Sequence, residues 1–115
     1  MVARPACLVR HRESGRLLAV RCRIAGTFWA RLRGWVGYLP QPGDGLWVRP
    51  CGLIHTFGMR VPIDIIFCGG DGTVRRVVPS LRPGRTAMAS GSTQVCELPA
   101  GQAAGIAPGH HLDLV

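Results

Sequence analysis

Residues 61–78 read VPIDIIFCGGDGTVRRVV, and the reading of this run decides the fold. Two apolar arms flank Gly69-Gly70-Asp71-Gly72, whose glycines supply the positive φ angles of a tight reversal. The pattern predicts a β-hairpin. Side chains alternate along a strand, so Ile63, Ile65 and Phe67 share one face of the first arm while Asp64, Ile66 and Cys68 share the other. Both faces are largely apolar, which places this arm at the centre of a sheet. Asp64 is the exception, because a carboxylate between isoleucines is costly to bury unless it is paired or heavily hydrogen-bonded. Its structural reading is acceptance of backbone N–H groups from a neighbouring loop, such as the turn around Gly58, or a pair with Arg60. Its functional reading is a place in a pocket wall with a shifted pKa.

Upstream, LWVRP and LIHTFGM read as short strands after the PQPGDG loop. The N-terminal CLVRHRESGRLLAVRCRI reads as another hairpin, turning at residues 13–15, with Leu18, Val20, Cys22 and Ile24 toward the core and Arg21 and Arg23 toward water. Between them the period changes: Phe28, Leu32, Trp35 and Val36 fall at helical spacing behind a Thr27 N-cap, and Gly37 with Pro40 ends the run. Downstream come a Pro-Gly turn at 83–84, the strand QVCEL and the terminal strand HHLDLV. Glu97 should lie opposite Cys96 and Leu98, exposed or beside an arginine of the next strand. The expected fold is mainly β, a small barrel or jelly-roll-like sandwich of about seven to nine short strands with one short helix near residues 27–37.

A chain of 115 residues fits a single domain, 1–115, with enough core to fold without staples. Its net charge of +8 comes from arginine alone, with no lysine. An arginine-rich surface for nucleic acid or another anionic surface is therefore one reading. Aromatic residues do not interleave with the arginines as a base-stacking platform requires, so nucleic acid is not the expected partner. The five cysteines are widely spaced with no C-x-x-C, which fits neither a disulfide framework nor a zinc ribbon and points to a reducing compartment. No stretch of the N-terminus is apolar enough for a signal peptide or a membrane span, and the cytoplasm is the expected location.

Candidate chemistry is sparse. His110 and His111 would point to opposite faces of a regular strand and could not share one ion, so no metal site is expected. His55 with Asp64, joined by Cys51, is the best set for a metal- or thiol-dependent enzyme, the second reading of the chain. No nucleophile elbow or phosphate-binding loop is present, and GDG at 43–45 and GGDG at 69–72 are turn chemistry.

Four stretches in order carry a resemblance: RLRGWVGYLP, GLWVRPCGLIHTFGMRVPIDIIFCGGDGTV, CELPAG and IAPGHHLDL. In combination they resemble the bacterial and archaeal family called domain of unknown function 192, over a core from about Thr27 to Leu114 preceded by the N-terminal hairpin. The resemblance implies a small β-barrel or sandwich with a short helix. It implies no activity, substrate or cofactor, and no cofactor is expected. Members commonly carry a Trp-Met-Lys-Asn-Thr type of run where this chain has His55–Met59, so no role of that lysine or asparagine passes to Phe57 or Gly58. Where members have Gly-Asp this chain has Gly109-His110, one carboxylate fewer.

The leading expectation is a non-enzymatic module that binds a ligand or a protein partner. Its pocket would be lined by His55, Thr56, Met59 and Asp64, polar or soft groups set in apolar strands, with Arg49 or Arg60 drawing an anionic group.

Overall fold

The structure is a computed structural model that describes residues 7–26 and 35–115. Its strands, in chain order, are β1 (Cys7–His11), β2 (Leu17–Ala25), β3 (Asp44–Val48), β4 (Leu53–His55), β5 (Ile63–Cys68), β6 (Val74–Leu81), β7 (Thr86–Met88), β8 (Gln94–Pro99) and β9 (Leu112–Leu114). Seven form one curled sheet in the order β6-β5-β8-β3-β2-β1-β9, and β4 pairs with β7 in a separate two-stranded sheet. All pairs are antiparallel except β2 with β3. The mainly β architecture agrees with the sequence pattern.

The expected 61–78 hairpin is β5–β6. Every residue of β5 is buried, and its alternation separates two cores. Ile63, Ile65 and Phe67 pack with Leu46, Val48, Val95, Trp35 and Met59 beneath Ile54 of β4 and Ala87 of β7. Ile66 and Cys68 pack on the other face with Val9, Cys22, Trp47, Cys96, Leu98 and Leu112, inside the curl. The sheet is thus a half-barrel with a second core on its outer face, covered by β4–β7.

The curl brings the two edges of the sheet together at one end. Thr73 bridges His111, the Leu112 N–H donates to the Gly72 carbonyl, and the Val74 N–H donates to the His110 carbonyl. Gly72 is required here twice over. Its φ is +86°, and a Cβ on it would stand 2.5 Å from the Leu112 carbonyl oxygen.

Two expectations change. Val20 faces solvent rather than the core, because the β1–β2 register slips between Cys7–Cys22 and Val9–Ala19. The N–H groups of Val20 and Arg21 both donate to the Gly43 carbonyl, as a β-bulge allows, and the extra residue turns Val20 outward. The helix expected near 27–37 falls on residues 27–34, which lie outside the described residues. Its last part, from Trp35, is a turn closed by the Tyr38 N–H on the Trp35 carbonyl, and no helix occurs among the described residues.

Candidate functional site

Asp64 is 1% exposed, and its two oxygens accept three backbone N–H groups. Oδ1 takes Ser80 at 2.8 Å; Oδ2 takes Gly101 at 2.9 Å and Ala103 at 2.8 Å. Its position follows from the register of the hairpin. Ile63 pairs with Leu81 but Ile65 with Val78, so β6 carries a bulge opposite Asp64 at Pro79 and Ser80. Proline has no N–H to lose on this edge strand, and Ser80 adopts a φ of 48° that presents its N–H to the carboxylate. The donors are those of β6 and the 101–103 turn, not the turn around Gly58 or the Arg60 guanidinium.

Thr56 is fully buried and performs a similar task on the other face. Its hydroxyl donates to the Arg82 carbonyl at 2.6 Å and accepts the Arg85 N–H at 2.8 Å, tying the 82–85 turn to the end of β4. Met59 is buried in the outer core. The sheet therefore separates Asp64, which points into the curl beside Leu98, from Thr56 and Met59 on the outer side. Asp64 lies on the inner side of the sheet and His55 on β4, which covers the outer side. Arg49 is half-buried at the end of β3, with its N–H on the Ala25 carbonyl, and Arg60 is exposed.

The outward face of β4–β7 presents a continuous strip. In register, Leu53 opposes Met88 and His55 opposes Thr86, with Phe57 two residues further along the chain in the turn after β4. Leu53 is 62% exposed, Met88 61% and Phe57 55%, while Ile54 and Ala87 point inward. The His55 ring stacks on Phe57 with centroids 5.6 Å apart, and the Phe57 N–H donates to His55 Nδ1 at 3.1 Å. Four arginines lie next to these elements in the chain or in space. The Arg76 guanidinium donates to the Met88 carbonyl at 2.6 Å, Arg82 and Arg85 belong to the turn whose backbone Thr56 holds, and Arg60 follows Met59. Among the described residues none of these four has a carboxylate partner, because the acidic groups are committed elsewhere. Glu13 is held by His111, Asp44 by Arg21, Asp113 by Arg10 and Arg12, and Asp71 by the Thr73 N–H.

Glu97 lies on the face opposite Cys96 and Leu98, as alternation requires, but that face is covered and not exposed. It sits between Leu46 and Ile65 and is 6% exposed. No hydrogen bond or ion pair reaches its carboxyl among the described residues. Burial alone pushes its pKa up to about 8, so the group is mainly protonated at neutral pH.

A second polar cluster gathers where the sheet edges meet. His11 Nε2 lies 2.9 Å from His110 Nδ1 and 3.5 Å from Glu13 Oε1. His111 donates its N–H to Glu13 Oε1 at 2.9 Å, and its Nδ1 lies 2.7 Å from Oε2. These bonds hold the Glu13 carboxyl near about 2, while burial, then His110, lowers the pKa of His11. His110 and His111 reach one cluster because they precede β9 instead of lying within it; the alternation argument does not apply to them. The only signal in the sequence was the placing of histidines near both chain ends.

Three comparisons bear on this arrangement. The family model DUF192, described as Uncharacterized ACR, COG1430, matches residues 9–114. A crystal structure of a proposed transcription regulator (R01717) from Sinorhizobium meliloti 1021 superposes with a TM-score of 0.86 at 22% identity, covering 99% of this chain and 97% of that one. A protein of unknown function from Novosphingobium aromaticivorans DSM 12444 superposes with a TM-score of 0.79 at 27% identity, covering 96% and 84%. No curated protein matches the sequence. Among the described residues no helix is long and apolar enough to cross a membrane.

Proposed function

The chain belongs to the uncharacterised DUF192 family, which lends it a fold and no reaction, and from that premise we propose a non-enzymatic binding module whose β4–β7 face receives an acidic protein segment with apolar anchors. One observation carries this reading. Leu53 and Met88 stand exposed in register, Phe57 stands exposed beside them against His55, and the neighbouring Arg60, Arg76, Arg82 and Arg85 have no carboxylate among the described residues to neutralise them. Exposed apolar side chains ringed by polar ones are the usual form of a protein contact. The uncompensated arginines select a partner of opposite charge and speed its approach. Leu53 and Met88, which make up most of the exposed apolar surface beside the single Phe57–His55 stack, favour a protein segment over nucleic acid.

In this reading His55 belongs to the face itself, and Arg49 and Arg60 supply charge from its margin. Thr56 and Met59 support it from below. Asp64 serves the sheet. An enzyme built on His55, Asp64 and Cys51 is disfavoured by the sheet that stands between His55 and Asp64.

The test compares three probes: an acidic peptide with leucine and phenylalanine, the same peptide with its charges reversed, and a DNA duplex. The acidic peptide should bind, with affinity falling as salt rises. Phe57→Ser and Arg85→Glu should each weaken it at least about 10-fold. Equal binding of both peptides, or indifference to both substitutions, sinks the reading. DNA binding abolished by the same substitutions replaces it with a nucleic-acid reading.

A further inference from the structure

We propose that His11, Glu13 and His110 form a binding site for one divalent transition-metal ion of the zinc type, at the seam where the half-barrel's edges meet. Each residue offers a ligand atom within 4.8 Å of the other two, and His11 Nε2 faces both His110 Nδ1 and Glu13 Oε1. They come from the end of β1, the β1–β2 turn and the segment before β9, so the fold and not local sequence assembles them. Tetrahedral zinc with bonds of about 2.0–2.1 Å spaces its ligand atoms about 3.3 Å apart. The His11–Glu13 separation of 3.5 Å already fits, and the His11–His110 separation of 2.9 Å must open by a few tenths of an ångström.

The surrounding hydrogen bonds are those a metal site needs. His11 Nδ1 lies 2.7 Å from Ser14 Oγ, which also accepts the Arg16 N–H at 3.1 Å. A neutral His11 can carry its proton on Nδ1, donated to Ser14, which leaves the Nε2 lone pair for the ion. Glu13 is oriented by the backbone and ring of His111 through both its oxygens. Partners that fix the ring and the carboxylate in this way are the usual outer shell of a bound metal. Two imidazoles select a zinc-type ion over magnesium or calcium, and zinc also takes a carboxylate oxygen. Without metal, a single proton bridges Nε2 of His11 and Nδ1 of His110; the ion takes that proton's place as it shifts to Nδ1 of His11. The Ala107 N–H also addresses His110 Nδ1, at 3.2 Å, and this weak bond is given up. Glu13 is part-exposed, which leaves the fourth position to water.

The experiment titrates chelator-treated, reduced full-length protein with Zn2+ by calorimetry and reads melting in parallel. Wild type should bind one equivalent and melt higher with zinc. Glu13→Gln keeps the shape of the side chain, and His110→Ala removes a half-buried ring; each should abolish that binding. Ser14→Ala should weaken it about 10-fold, because it touches only the orientation of His11. The Co2+ complex should lack thiolate charge-transfer absorption, which excludes the five cysteines as the source. Absence of an equivalent of bound zinc, binding retained by Glu13→Gln, or a thiolate band overturns the proposal.

Discussion

Two buried carboxyls stand one residue apart in register, on neighbouring strands and opposite faces of the same sheet. Asp64 on β5 pairs with Leu98, and Glu97 on β8 pairs with Ile65. Asp64 accepts three backbone N–H groups; Glu97 accepts none among the described residues. The difference lies in what covers each face. Asp64 faces a bulged edge strand and a turn, both of which have N–H groups outside the ladder to offer. Glu97 faces side chains of the outer core, and the backbone N–H groups there are consumed in strand pairing. Asp64 is held because irregular backbone offers it N–H groups; Glu97, which has neither such donors nor an arginine as Asp44 has, keeps its proton.

Substitution of Asp64 is the harshest test of this contrast. Asp64→Ala leaves the Ser80, Gly101 and Ala103 amides without their acceptor; the buried Ala103 donor alone costs about 1–3 kcal/mol, and the loss of the two part-buried bonds adds to it. A loss of about 3–5 kcal/mol in urea unfolding is expected. Asp64→Asn should recover little, since its NH2 would face donors. A loss below about 1 kcal/mol would show that the amides find water instead.

Glu97 should respond in the opposite direction. Its folded pKa of about 8 lies above the ordinary 4.5, so below pH 4.5 both folded and unfolded chains hold the proton and nothing is lost. Between those values the unfolded chain ionises while the folded one does not, and stability falls by about 1.4 kcal/mol per pH unit. Above pH 8 the folded group ionises too and the slope ends. Glu97→Gln removes this slope. The variant should match wild type near pH 4 and exceed it by on the order of 3 kcal/mol at pH 7. A wild-type slope that survives in the variant would place the titration elsewhere.

The two carboxyls also mark how far the sequence could be read. The alternation of β5, the Gly-rich reversal and the need of Asp64 for backbone donors follow from local periodicity and from the energetics of burial, and each is present within residues 61–78. The identity of the donors is not, because Gly101 and Ala103 lie 37 and 39 residues away. Glu97 was readable in its side of the strand and misread in its environment. Strand period tells which face a residue takes; only tertiary packing tells that β4–β7 covers that face. The same limit applies to Val20, turned outward by a bulge that no residue type announces, and to the His11–His110 contact across 99 residues.

Thr56 extends the comparison to a neutral group that both donates and accepts. Thr56→Val keeps the volume and removes the hydroxyl from between the Arg82 carbonyl and the Arg85 N–H. The expected loss is about 2 kcal/mol, with Thr56→Ser near wild type. Because the hydroxyl holds the 82–85 turn, the valine variant should also weaken binding of the acidic peptide. An unchanged peptide affinity would detach Arg82 and Arg85 from their anchor.

The smallest effect on stability should belong to the residues with the largest effect on binding. Phe57 is 55% exposed and its backbone N–H is met by His55, so Phe57→Ser removes little buried surface and leaves no orphaned group. Its unfolding free energy should stay within about 0.5 kcal/mol of wild type. Peptide affinity should nonetheless fall, because a partner that covers the β4–β7 strip would bury this ring while the free protein does not. That separation divides the molecule as the two carboxyls do. Groups whose partners lie within the chain hold the sheet, and a strip exposed for docking, as proposed, would cost the fold little. Should Phe57→Ser destabilise the protein by as much as Thr56→Val, the strip would be packing against the chain's own residues and the β4–β7 face would lose its place as a docking surface.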